Sequence, residues 1–316
     1  MNENLYNLFD DVLKSDFNVD DEGSKRIINL GENGEYGNME MYSIFPGIII
    51  AYIDMNIENM DDVFVDVKLN TRLLEINHCR EGRYAYSIDD DKIIYFGKGD
   101  LCVSIYDLTK SISDFPLGYY KGFEIFIDVD LANGYLKEYI PNFDLIDMYE
   151  GLKKSQGYVL IRSNERIDHV IGELYSVDNR IKESYFKLKC LELLLFFSIT
   201  HFEKSANTPL SKSQAEIVEI VKNDLTENLE SQITIAQLAE KYGISKTTLK
   251  NCFKEVYGKP IIKWRKEYRL DYACRLIDED EFTISEISKM VGYSSPSKFT
   301  QAFKDYIGCT PSEYRK

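Results

Sequence analysis

Two short clusters carry the side chains best suited to chemistry at a base edge: Lys246, Thr247, Lys250 and Asn251 in one, and Ser295, Ser297, Lys298 and Gln301 in the other. Asn and Gln pair bidentately with adenine, Lys reaches guanine edges, and Ser or Thr hydroxyls donate or accept as required. An ordinary solvated helix face has a similar composition, so the case rests on the elements that position these residues.

Around each cluster the same plan recurs, in Thr234 to Pro260 (TIAQLAEKYGISKTTLKNCFKEVYGKP) and in Thr283 to Pro311 (TISEISKMVGYSSPSKFTQAFKDYIGCTP). Each copy opens with a capping box, Thr234-x-x-Gln237 or Thr283-x-x-Glu286, which satisfies the free amides of a new helix. Leu238 or Ile287 then precedes a small residue, Ala239 or Ser288, where a large side chain would hold two crossing helices apart. Gly243 or Gly292 ends the first helix in the left-handed conformation, and Ile244 or Tyr293 turns into the core. Ser245 and Ser294 are placed to cap the second helix, and Pro296 stiffens the start of its second copy. Leu249 with Phe253, and Phe299 with Phe303, lie four apart and anchor one face, which leaves each polar cluster on the other. Two copies in phase predict a pair of helix-turn-helix units. Between them Ile261 to Ile277 (IIKWRKEYRLDYACRLI) reads as a connecting helix about 25 Å long at 1.5 Å per residue. That length would set two readers about one major-groove repeat apart. Lys254, Lys263, Arg265, Lys266, Lys304 and Arg315 read as phosphate-facing or solvated.

A net charge of −15 is unexpected in a chain that approaches phosphate, until it is divided by region. Residues 211–316 hold 17 Lys and Arg against 16 Asp and Glu, whereas residues 1–210 hold 21 against 37. The acidity is nearly all N-terminal, so any contact with nucleic acid must be confined to a local basic face of the C-terminal part. Six scattered cysteines without a C-x-x-C, and three histidines without ligand spacing, predict reduced, mostly buried thiols, no metal and no cofactor. The acidic N-terminus lacks the basic-then-apolar pattern of a signal peptide, and no apolar run approaches a membrane span, so a cytoplasmic location is expected.

The N-terminal half changes character at Pro141. Before it, Ile48–Met55, Phe64–Leu69, Leu73–His78, Tyr84–Ile88, Ile93–Phe96, Leu101–Tyr106 and Phe123–Ile127 read as strands. Turns are expected at Glu81-Gly82, Asp89 to Asp91, Gly97 to Gly99 and Leu117-Gly118. After it, Ile167, Val170, Ile171 and Leu174 recur at helical spacing, followed by a helix from Ile181 to Phe202 that is apolar on every face in its second half. That helix is either the seam of a homodimer or a fully buried core element. Glu203 to Ser213 is small and polar, contains Pro209 and reads as a linker. Arg83, Tyr84, Tyr86, Tyr95 and Phe96 are candidates for a small-molecule pocket, with simple core and surface roles as the alternative, since strand alternation sends half of them each way.

Pro260, Arg269-Leu270, Ala273, Ile284-x-x-Ile287-Ser288, Gly292-Tyr293, Phe299, Phe303 and Gly308-x-x-Pro311 strongly resemble the AraC/XylS family of transcription regulators, over roughly residues 213–316. In the N-terminal half, Ile76 to Arg83, Gly97 to Leu101 and Pro116 to Tyr120 resemble the cupin-like sensor domain of such regulators, of the PchR type. The resemblance implies an α+β multidomain chain. Residues 1–202 would form a cupin-like β-barrel with a helical dimerisation segment at about 142–202, residues 203–213 a linker, and residues 214–316 an all-α domain with two helix-turn-helix motifs. It also implies double-stranded operator DNA, RNA polymerase and a small-molecule effector as partners, activation as the commoner habit, no catalysis, and a supporting role for Arg269. Two alternatives stand beside it: a regulator governed by a protein partner or by its own abundance, and a cupin-fold enzyme fused to a DNA-binding tail, which the missing metal histidines disfavour.

Overall fold

A computed structural model describes residues 5, 17–22, 25–31, 34–56, 71–106, 113–199 and 209–315. The chain separates into two compact units, Met1–Pro209 and Leu210–Lys316. The first is a β-sheet with helices on one face and the second is all-helical, so the fold is mixed α+β. No helix among the described residues is long and apolar enough to cross a membrane.

In the first unit the strands are β1 (Phe17–Glu22), β2 (Lys25–Leu30), β3 (Gly37–Phe45), β4 (Ile48–Asn56), β5 (Leu73–Asp89), β6 (Lys92–Gly97), β7 (Leu101–Ile105), β8 (Ser113–Asp114), β9 (Tyr119–Asp128) and β10 (Tyr158–Ile161). Antiparallel pairing runs β1-β2-β3-β4-β9-β5; β7 and then β10 continue from one half of β5, and β6 and β8 pair with its other half. The described strands form an open sheet, and the closed cupin-like barrel expected from the sequence is not what they build. The two strands expected at Leu73–His78 and Tyr84–Ile88 are one 17-residue strand. Glu81-Gly82, expected as a turn, lies inside it beside a register shift against β9, because an extra residue is absorbed as a bulge rather than a reversal. The strand expected at Phe64–Leu69 lies outside the described residues.

After β9 come α1 (Val129–Leu136), α2 (Leu145–Lys154), α3 (Glu165–Gly172) with a following 3-10 turn, and α4 (Lys182–Ser198). The segment expected to be helical from about 142 is interrupted by β10, which adds to the edge at β7. Alternation along β4 splits its apolar side chains between two cores. Ile48 and Ile50 join the helix-covered core with Leu152, Ile171, Phe186 and Phe197, whereas Ile49 and Ala51 join Met41 and Phe126 on the opposite face. On α4, Phe186, Cys190, Leu193, Leu194 and Phe197 are buried while Ile181, just ahead of it, Leu188 and Leu195 are 55%, 65% and 49% exposed.

The second sheet face also buries polar groups. The Asn77 side-chain amide donates to Glu124 at 2.7 Å and to Glu75 at 3.2 Å, Ser104 donates to Glu75 at 3.3 Å, and the Tyr120 hydroxyl donates to Oδ1 of Asn77 at 2.7 Å. Burial pushes Glu75 up to about 7, and burial together with the neighbouring Glu75 charge raises Glu124 well above the ordinary carboxylate range. On the helix-covered face, His78, stacked on Phe123 with Nδ1 2.7 Å from the Tyr175 hydroxyl, is brought down to about 4 by burial.

A carboxyl held above its unfolded value keeps its proton in the folded chain after the unfolded chain has lost it, so its contribution to stability falls as pH rises from about 4.5 to about 7. Glu75→Gln removes that titration while the His78 contribution stays common to both proteins. The melting temperature of the variant relative to the parent is therefore expected to rise between about pH 5 and about pH 8, read by circular dichroism on the full chain. A difference that does not change with pH would mean that Glu75 is not protonated in the fold.

Candidate nucleic-acid interface

The second unit consists of α5 (Lys212–Glu227), α6 (Ile235–Lys241), α7 (Lys246–Tyr257), α8 (Ile261–Asp278), α9 (Ile284–Met290), α10 (Pro296–Ile307) and α11 (Pro311–Tyr314). Ser211 caps α5, which places a helix start inside the stretch read as linker. Both expected capping boxes form: Thr234 and Thr283 accept from the backbone N–H of Gln237 and Glu286, whose side chains accept in return. A third, Thr310 with Glu313, starts α11. Ala239 and Ser288 are buried at the crossings, and Leu249, Phe253, Phe299 and Phe303 are fully buried. The pairs α6–α7 and α9–α10 are thus two helix-turn-helix units, and α8, 18 residues and about 27 Å long, joins them.

On α7, Lys246, Thr247, Lys250, Asn251 and Lys254 are exposed, opposite the buried Leu249, Cys252, Phe253 and Val256. On α10, Pro296, Ser297, Lys298, Gln301 and Lys304 are exposed, opposite Phe299 and Phe303. The lysines on both faces make no ion pair among the described residues. Each helix therefore presents a cationic, hydrogen-bonding face.

Two details differ from expectation. Ser295, and not Ser294, caps α10: its hydroxyl accepts from the Lys298 N–H at 3.4 Å. Pro296 decides this, because it occupies the first helical turn, where its missing N–H costs nothing, and it holds the preceding residue extended. Ser295 is therefore half-buried with its hydroxyl engaged, and of the second cluster Ser297, Lys298 and Gln301 remain exposed. Gln301 donates to Asp305 at 2.6 Å. An exposed pair four residues apart is worth only about 0.2–0.5 kcal/mol, against about 1–3 kcal/mol for a bidentate base contact, so the amide is free to exchange partners.

Arg265 and Arg315, expected to face phosphate or solvent, are tied to backbone. Arg265 donates to the carbonyls of Ser231 and Ile233, and Arg315 donates to Phe282 while pairing with Asp280 at 3.3 Å. Arg269 donates to the carbonyls of Leu229 and Ser231, as its supporting role implied. Burial, and then the adjacent Arg269 charge, bring Arg265 down to about 10. Gln232 donates to the Gly292 carbonyl at 3.1 Å, so the loop before α6 is bonded both to α8 and to the turn of the second helix-turn-helix.

The five candidates for a small-molecule pocket are divided. Tyr84, Tyr86 and Phe96 share one face in an aromatic cluster with Tyr120, and the pairing of Ala85 with Tyr95 and of Arg83 with Gly97 puts Arg83 and Tyr95 on the other. Sequence reading missed the Glu75–Asn77–Glu124 cluster. Its signal was present as single acidic residues at inward positions of otherwise apolar strands, LLEIN and FEIFI.

Two helix-turn-helix units in tandem on one connecting helix define the class of this site, a duplicated DNA-reading domain. Residues 238–316 match the family model described as a helix-turn-helix domain. The regulator ExsA of Pseudomonas aeruginosa is 30% identical over 129 residues, 41% of this chain and 46% of that protein. The probable transcription factor PqrA of Proteus vulgaris is 33% identical over 106 residues, 32% of this chain and 87% of that protein. Among solved structures, the C-terminal domain of the response regulator yesN from Fusobacterium nucleatum has 31% identity, with 31% of this chain and 96% of that one covered and a TM-score of 0.30. The chain spans less than half the length of the first curated relatives it matches. It belongs to the AraC/XylS family of transcription regulators.

The two turn glycines should respond differently to a methyl group. Gly243 and Gly292 both have positive φ, 63° and 77°, but an added Cβ at Gly243 meets nothing within 4 Å, whereas at Gly292 it would lie 2.2 Å from the Leu229 carbonyl oxygen. Gly243→Ala should cost about 1 kcal/mol, the conformational penalty alone, and Gly292→Ala distinctly more. Equal losses in urea denaturation would mean that the Leu229 loop does not pack on that turn.

Proposed function

We propose that this protein is a sequence-specific DNA-binding transcription regulator, an activator that works as a homodimer and responds to a small-molecule effector. The observation that carries the reading is the pair of exposed faces, Lys246, Thr247, Lys250 and Asn251 on α7 and Ser297, Lys298 and Gln301 on α10, held on one connecting helix. Lys250, Asn251 and Gln301 read base edges; Lys246, Lys254, Lys298 and Lys304 neutralise phosphates. Ser295 supports the second reader as its cap.

Homodimerisation is assigned to the α4 helix. Ile181, Leu188 and Leu195 lie seven apart and exposed, the spacing of a two-helix seam, and a second copy would cover them. The effector is assigned to the N-terminal unit, where the buried Glu75–Asn77–Glu124 cluster offers polar groups inside an apolar interior, a combination enriched at functional sites. The acidic surface of that unit keeps it off DNA, the bound regulator recruits RNA polymerase, the site of action is the cytoplasm, and the chain carries out no catalysis.

Selection of DNA from a random pool by the full-length protein should enrich a site with two half-sites about one helical turn apart. Lys250→Ala and Gln301→Ala should each lower affinity for that site by about 1–3 kcal/mol and leave scrambled DNA nearly unaffected. Equal losses on both DNAs would remove base readout from these residues. Leu188→Glu should convert the dimer to a monomer in sedimentation; an unchanged mass would place the interface elsewhere.

A further inference from the structure

Between the two helix-turn-helix units lies an open groove of about 540 Å³. Ile262, Arg265, Lys266 and Arg269 form one wall, since positions i, i+3, i+4 and i+7 share one face of α8. Thr234, which caps α6, and Tyr293, in the turn leading into α10, lie along the other sides. The floor is aliphatic, with Leu225, Ile233, Ile235, Leu238 and Ile261, and the charged groups on the lining are three cations and no carboxylate. Arg265 and Arg269 bond only to carbonyl oxygens, and their charges are uncompensated among the described residues. Lys266 is exposed and makes no ion pair there.

A helix-turn-helix approaches DNA with the N-terminal end of its second helix, while its first helix crosses the backbone. Thr234 begins such a first helix and Tyr293 immediately precedes a second reader, so the groove lies beside the ends that approach the duplex. A duplex that offers one major groove to each reader turns the intervening minor groove, bordered by phosphates, toward the segment between them. Resting on the reading of the chain as a tandem DNA reader, we infer that this groove is a third DNA contact, a phosphate site midway between the half-sites. Lys266 makes the contact, and Arg265 and Arg269 add positive potential from beneath while holding the loop before α6. The contact carries affinity and no base preference.

The test uses full-length protein and a selected DNA with two half-sites, prepared with ordinary linkages or with neutral methylphosphonates at the central backbone positions. Lys266→Ala, at an exposed position, should leave the melting temperature unchanged. It should weaken specific and scrambled DNA alike, by severalfold, and reduce the slope of log affinity against log salt by about 1. Central methylphosphonates should weaken the parent by a similar factor and leave the variant unaffected. A parent indifferent to them, or equal losses in parent and variant, would overturn the contact while the two-half-site reading stood. Selection of only single half-sites would overturn both.

Discussion

Arg269 reaches from the connecting helix to the carbonyls of Leu229 and Ser231, Arg265 adds bonds to Ser231 and Ile233, and Gly292 packs against the same loop. This junction fixes how far apart and in what orientation the two readers stand. Hydrogen bonds from a charged donor are about twice as strong as neutral ones, and here they tie α8 to the loop before α6, while the neutral Gln232 amide ties that loop to the turn before α10. Two helix-turn-helix units held in this way keep a fixed spacing before any partner arrives, which lowers the orientational cost of engaging both at once. The apolar packing on either side serves the same geometry. Trp264 lies against Phe253 and Tyr257 in the first half, and Leu270, Ala273 and Ile277 meet Phe299 and Phe303 in the second.

The N-terminal unit is organised by a different constraint. Its sheet buries both faces along residues 48–51, 73–79 and 123–128, where consecutive residues are buried rather than alternating with exposed ones. On the face away from the helices two carboxyls meet one amide, and withdrawal from water keeps at least part of the pair protonated. Such an arrangement lowers stability relative to an apolar core, and the hydrogen bonds among Asn77, Ser104 and Tyr120 offset part of that cost. The helical layer is equally lopsided, since α4 buries one face fully and leaves Leu188 and Leu195 in solvent.

Much of the DNA-binding unit was legible because its determinants are local. A Thr followed three residues later by Gln or Glu caps a helix wherever it folds, a glycine at a helix end takes positive φ, and aromatics four apart fall on one face. The exceptions show where locality ends. Ser294 and Ser295 are both competent caps, and only Pro296 chooses between them. Arg265 has the composition of a phosphate contact, and it is turned to backbone by a loop more than 30 residues away.

In the N-terminal unit the strand-forming segments were readable one by one, from β-branched and aromatic runs, but their connection was not. Glu81-Gly82 carries the chemistry of a turn and sits within a continuous strand because pairing with β9 extends across it. Tyr158 to Ile161 pairs with β7 from far along the chain, and Asn77 joins Glu75 to Glu124 across 47 residues. The sequence by itself determined the capping boxes, the turn glycines and the anchored faces of the helix-turn-helix units, all set by neighbours within about one helical turn. Tertiary structure decided which cations are free, whether the sheet closes, and which acids are buried together, because burial and partner choice depend on atoms brought close only by the packed fold.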